Sequence, residues 1–105
     1  METKNENAGY IYPSTEARGL NFGQALEAAK RGQMIAREGW NGKNQYVFLA
    51  HATEFETDVF LEEFEDVSII IADVLVLRTQ NKALQPGWLA TQSDMLAEDW
   101  YIYAE

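Results

Sequence analysis

The chain contains no cysteine, which removes disulfides, thiolate nucleophiles and cysteine-based zinc sites and makes the cytosol its natural compartment. It has a single histidine, His51, at the end of a predicted strand. A serine nucleophile would need a base and an orienting acid brought to it, and a lone histidine is more often an ordinary polar residue. No glycine-rich P-loop, GxGxxG or HExxH occurs. Carboxylate neighbours such as Glu98 and Asp99 point to opposite faces of an extended segment, so they do not make an acid and base pair. The reading is of a non-enzyme with no cofactor. Basic residues are also scarce, with 8 Lys and Arg against 17 Asp and Glu and a formal charge of -9. That balance excludes a broad surface for a nucleic-acid polymer or an anionic membrane, whose affinity comes from many phosphate contacts. A small anion is still allowed, in a local pocket drawing on Arg37, Lys43, Arg78 and Lys82. No apolar run reaches the roughly 18 residues of a spanning helix, and the N-terminus lacks the basic flank and apolar run of a signal peptide, so a soluble, cytoplasmic protein is expected.

What is present is a chain of 105 residues, 47% hydrophobic and 12% aromatic, which predicts one compact domain small enough to gain from self-association. Residues 1–19 read as a flexible polar extension; its patch Tyr10-Ile11-Tyr12 before Pro13 suits an added edge strand, an arm reaching a neighbour, or a frayed end. Residues 20–105 read as a single α+β domain.

The ordered signals begin at Leu20. Asn21 is a good N-cap with Gln24 as its capping-box partner, and Phe22, Ala25, Leu26 and Ala29 form one apolar helical stripe. Gly32 stops the helix, with Lys30 and Arg31 suiting its negative end. Met34 to Trp40 reads as a strand, Asn41-Gly42 as a two-residue type I′ turn, and Tyr46 to His51 as the return strand, with Tyr46, Phe48 and Ala50 on one face and Val47 and Leu49 on the other. Glu54 to Asp66 is an acidic stretch in which Phe60, Leu61, Phe64 and Val67 fall at helical spacing, predicting an amphipathic helix with a solvated face. Its carboxylates lack the EF-hand pattern, so no metal is assigned.

Val67 to Thr79 supplies central strand material, with Asp73 marking a bulge or break. Gln80 to Lys82 is a turn, and Ala83 to Gln85 a short return strand ended by Pro86-Gly87. Thr91 or Ser93 caps a short helix through Ala97 with Asp94 in its first turn, and Trp100 to Tyr103 closes the chain as a strand. The fold class is α+β: an antiparallel sheet of about five strands with one main helix and a short C-terminal helix.

Binding is better supported than catalysis. Trp40, Trp88 and Trp100 lie in or beside turn-like stretches, Tyr46 and Phe48 are near the first, and Thr91, Gln92, Ser93 and Asp94 offer compact polar groups. Aromatic faces with a few converging donors and acceptors suit a purine, with Arg37, Lys43 or Arg78 meeting phosphates. The competing explanation is that the tryptophans are core or subunit-interface residues.

Two clusters, FGQALEAAKRGQMIAREGWNGK at 22–43 and WLATQSDMLAEDW at 88–100, resemble the signature of the second Thoeris anti-defense family of phages. The resemblance implies a molecular sponge. Such a protein sequesters the cyclic ADP-ribose type signal of a bacterial TIR-domain enzyme without cleaving it, in the cytoplasm of the infected host, and some members also hold cyclic oligonucleotides of the CBASS defence. It also implies a homotetramer with ligand pockets at subunit junctions. By motif position, Trp40 is the base-stacking aromatic, Asn41 and Gly42 shape the pocket edge, and Gln92, Ser93 and Asp94 contact ribose or base. Arg37 is assigned to phosphate from its charge, and Phe48, Trp88 and Thr91 complete the candidate set. By the same resemblance, the extension before Leu20 is longer than the family's usual start and the acidic segment 54–66 is a variable region of the family. The alternative is a protein-interaction module with tryptophan anchors and an acidic face.

Overall fold

The computed structural model describes residues 17–52 and 72–104. Helix α1 (Phe22–Lys30) is followed by strands β1 (Met34–Arg37), β2 (Tyr46–Ala50), β3 (Val74–Arg78) and β4 (Leu84–Pro86), then the short helix α2 (Gln92–Leu96) and strand β5 (Trp100–Tyr103). The strands form one antiparallel sheet in the order β4-β3-β2-β1-β5. The α+β class read from the sequence is the class observed.

Local chemistry sets both ends of α1. The Asn21 side chain accepts from the Gln24 N–H at 2.8 Å, and the Gln24 side chain accepts from the Asn21 N–H at 2.9 Å. Two otherwise orphaned donors are thereby satisfied. Gly32 takes φ +94° just past the helix, a conformation that a Cβ resists. The buried face of α1 carries Ala25, Ala28 and Ala29, whose small side chains let the helix approach the sheet closely over Ile35, Val47, Trp100 and Ile102. These residues, alternating along β1, β2 and β5, make the core face. Trp100 is its largest fully buried side chain.

The opposite sheet face carries Tyr46, Phe48, Tyr101 and Tyr103, and the Tyr46 and Tyr103 rings stack at 4.7 Å. Phe48 therefore lies across the sheet from the tryptophans.

The first hairpin departs from expectation. Strand β1 stops at Arg37, and the connection to β2 runs from Glu38 to Gln45, eight residues where two were expected. Neither Asn41 nor Gly42 has a positive φ, so the type I′ turn is absent; the left-handed residue is Asn44, at φ 62°. The cause is Asp99. Its backbone carbonyl accepts from the Glu38 N–H at 3.1 Å and its carboxylate from the Gly39 N–H at 2.9 Å. These contacts turn the chain away from the sheet before Trp40 and free the Trp40 indole to pack inward.

Strand β2 takes the middle of the sheet and β3 lies beside it. Asp73 stands just ahead of β3, exposed, where it accepts from the Ala52 N–H at 2.8 Å and pairs with His51. It therefore needs no bulge to escape burial. The predicted acidic helix at 54–66, the first part of the 67–79 strand and the Tyr10 to Tyr12 patch fall outside the described residues. Of the predicted extension, Ala17 to Gly19 run along β5, where Ala17 O accepts from the Ile102 N–H at 3.2 Å and Leu20 exchanges two backbone bonds with Trp100.

Candidate functional site

The site forms where the Glu38–Gln45 loop meets the segment that runs from Trp88 through α2 to Asp99. Register brings them together: Arg37 lies opposite Trp100 in the β1–β5 pair, on the helix-facing side of the sheet. Thr91 caps α2 through a capping box in which its hydroxyl accepts from the Asp94 N–H and the Asp94 carboxylate accepts from the Thr91 N–H, each at 3.0 Å. That box fixes the direction of Asp94. Its Oδ1 points back to β1, where it accepts from Arg37 Nη1 at 2.9 Å and from the Trp40 ring N–H at 3.1 Å. Its backbone carbonyl accepts from the Trp100 ring N–H at 2.9 Å. One residue thus anchors two indoles.

Arg37 is held on a second side by Asp99, with Nε to Oδ1 at 2.8 Å and Nη2 to Oδ2 at 3.4 Å. Only 17% of the Arg37 side chain and 8% of that of Asp94 are exposed, so this is a largely buried bridge. The hydrogen bonds that Arg37 donates to Asp99 and then to Asp94 raise its pKa above the usual value against the cost of burial. Burial pushes Asp94 up, but the Thr91 N–H, the Arg37 guanidinium and the Trp40 indole together bring it below the usual carboxylate range. For Asp99, Arg37 is the main cause of a lowered pKa, aided by the Gly39 N–H.

The three indoles form one edge-to-face cluster, with Trp40 at 5.4 Å from Trp100 and 6.2 Å from Trp88, and Trp88 at 6.3 Å from Trp100. Such geometry suits ring quadrupoles. Trp100 is the core member; Trp40 and Trp88 are half-buried. Their outer edges line a cavity of about 230 Å³ together with Asn41, Gly42, Gln45 and Asp94. A second hollow of about 370 Å³ shares Trp40, Gly42 and Gln45 with the first, and adds Arg18, Lys43 and Tyr101 among its walls. The partition leaves little spare room at Gly42. A Cβ there would lie 2.2 Å from Gln45 Nε2 and 2.9 Å from Gln80 Oε1.

Five of the sequence-derived residues, Trp40, Asn41, Gly42, Trp88 and Asp94, come together at the first cavity, while Arg37 lines the second. Thr91 acts from behind as the cap of α2, and Gln92 and Ser93 are exposed on that helix away from both cavities. Phe48 lines a different hollow, with Met34 and Tyr46 on the far face of the sheet. Arg37, assigned to phosphate, donates its guanidinium hydrogen bonds to Asp94 and Asp99 and also borders the second hollow. Sequence reasoning passed over Arg18, Gln45 and Asp99. Only the clash at Gly42 points to Gln45, and the role of Asp99 depends on strand pairing that no local pattern reveals.

A larger cavity, about 510 Å³, lies elsewhere, between the Leu26 side of α1 and Leu49 and Leu75. Its walls are mainly apolar, with Lys30, His51 and Asp73 as the polar groups. Among the described residues its only ring is the exposed His51 imidazole, whereas the tryptophan cavity presents two indoles.

Residues 20–103 match the family model described as the Thoeris anti-defense 2-like domain. Over 84 residues the chain is 33% identical to a protein named Thoeris anti-defense 2 from Bacillus phage SP01, an alignment that covers 79% of this chain and 93% of that protein.

Proposed function

The chain belongs to the Thoeris anti-defense 2-like family, and from that membership we propose that it is a non-enzymatic phage anti-defence sponge. It binds a cyclic ADP-ribose type immune signal, and in a broader form of the same role CBASS cyclic oligonucleotides, in the cytoplasm of the infected host. Each bound signal is withheld from the Thoeris effector without being cleaved. The observation that carries this reading is the half-buried Trp40 indole, fixed by Asp94 and facing a cavity with Trp88. A purine stacked there meets a surface already in place, and preorganisation of this kind lowers the entropy lost on binding.

A sponge acts by stoichiometry and residence time, so slow release matters more than turnover. Self-association serves that end by bracing the pocket. Next to Trp88, Leu89 is 85% exposed, and Leu96 on α2 is 79% exposed. This apolar rim supports a homo-oligomer, a tetramer by the family resemblance, with ligand pockets at subunit junctions. The same rim is what favours the second reading, a protein-interaction module anchored on tryptophans. Trp40→Ala separates the two. The sponge loses ligand affinity in calorimetry and keeps its oligomeric mass in light scattering; an interaction module loses assembly.

A further inference from the structure

A nucleotide-type signal brings phosphates as well as a base, and Arg37, with its guanidinium held by Asp94 and Asp99, is poorly placed to receive them. The 370 Å³ hollow that Arg37 borders has more exposed donors in its walls. Lys43 is exposed in the 370 Å³ hollow and makes no ion pair with any described residue. Arg18 enters that hollow from the strand side, its guanidinium 4.5 Å from the centre of the Tyr101 ring, and it pairs with Glu38. Both partners of that pair are half exposed or more, 60% for Arg18 and 50% for Glu38. An exposed pair of this kind is weak, and a phosphate, with more charge and more acceptor oxygens, displaces the carboxylate. The hollow and the tryptophan cavity share Trp40, Gly42 and Gln45, so one molecule can occupy both.

We propose that the Glu38–Gln45 loop divides the ligand site into two compartments, with the base against Trp40 and Trp88 and the phosphates beside it on Lys43 and Arg18, where Glu38 competes for Arg18. This rests on the sponge reading and names the groups that select a phosphorylated ligand. Glu38 then limits affinity: removing its charge frees a cation without disturbing the tryptophans.

The test is calorimetric titration of the full chain with glycocyclic ADP-ribose and, separately, inorganic pyrophosphate, for wild type, Lys43→Ala and Glu38→Gln. Lys43→Ala should weaken the cyclic ligand by roughly tenfold, as loss of a charged hydrogen bond does, and lower the salt dependence of binding. Glu38→Gln should tighten it, by about three- to tenfold. Both positions are exposed, so thermal unfolding should be unchanged. An unaltered affinity in both variants, with wild type binding, overturns the two-compartment site and leaves the sponge. Saturable binding of pyrophosphate alone, lost in Lys43→Ala, keeps the phosphate hollow and sinks the sponge reading. Binding of neither overturns both.

Discussion

Arg37 Nη1 and Asp94 Oδ1 meet at 2.9 Å across 57 positions of sequence, and this contact joins the first strand of the sheet to the short helix near the C-terminus. Several of the contacts that hold the tryptophan cavity converge on it. Asp94 receives Arg37 and the Trp40 indole on one oxygen and the cap of α2 on the other, while Asp99 takes the remaining side of Arg37 and turns the loop after it. Two charges removed from water are favourable only when nearly every donor and acceptor is matched, which is the case here.

Removing one partner should therefore be costly. Arg37→Ala leaves Asp94 buried without its counter-ion, and urea unfolding should show a loss of about 3–5 kcal/mol. If Arg37 instead bound phosphate directly, the same variant would keep its stability and lose only ligand affinity.

Acid should loosen the same junction. Asp94 and Asp99 have folded-state pKa values below the usual carboxylate range, so they bind protons less readily when folded. Their contribution is fully present well above the unfolded value of about 3.9 and is lost as pH falls from there through the lower folded values. Arg37, raised from an already high value, adds no dependence near neutrality. Urea midpoints should hold steady from about pH 7 to 5 and fall towards about pH 3. Asp99→Asn, weaker at pH 7, should show a shallower fall; an identical acid profile would contradict the assignment.

Gly42→Ala probes shape alone. The added methyl meets the ends of two flexible side chains, Gln45 and Gln80, which can swing aside into the cavity. Stability should change by no more than about 0.5 kcal/mol, as for other surface changes, while ligand affinity falls measurably in calorimetry.

Trp40 should separate stacking from anchoring. Trp40→Phe keeps an aromatic face but loses the bond to Asp94, so unfolding should show a loss of about 1–2 kcal/mol with most affinity retained. Trp40→Ala removes the face and should weaken binding by about 1–3 kcal/mol, the value of one stacked base.

The parts of the fold that were legible are those written in neighbouring residues. Asn21 with Gln24, Gly32, and Thr91 with Asp94 each carry their structural role within four positions, and each does what its local chemistry predicts. The Asn41-Gly42 turn failed for the opposite reason. Its preference for type I′ is local and small, and Asp99, brought near by β5, holds the Glu38 and Gly39 amides and diverts the chain first. The site divides along the same line. Trp40, Trp88 and Asp94 were recognisable as residue types in turn-rich segments, but the bonds of Arg37 to Asp94 and Asp99 depend on the pairing of β1 with β5, which no local pattern carries. Phe48 was placed by nearness in sequence, and the alternation of β2 sends it to the far side of the sheet.

The most direct test of the sponge is titration of the purified protein with glycocyclic ADP-ribose, followed by heat denaturation and mass analysis of what is released. Tight, saturable binding with the signal recovered at unchanged mass is the predicted result. Release of a hydrolysed product, or no binding at all, would contradict it.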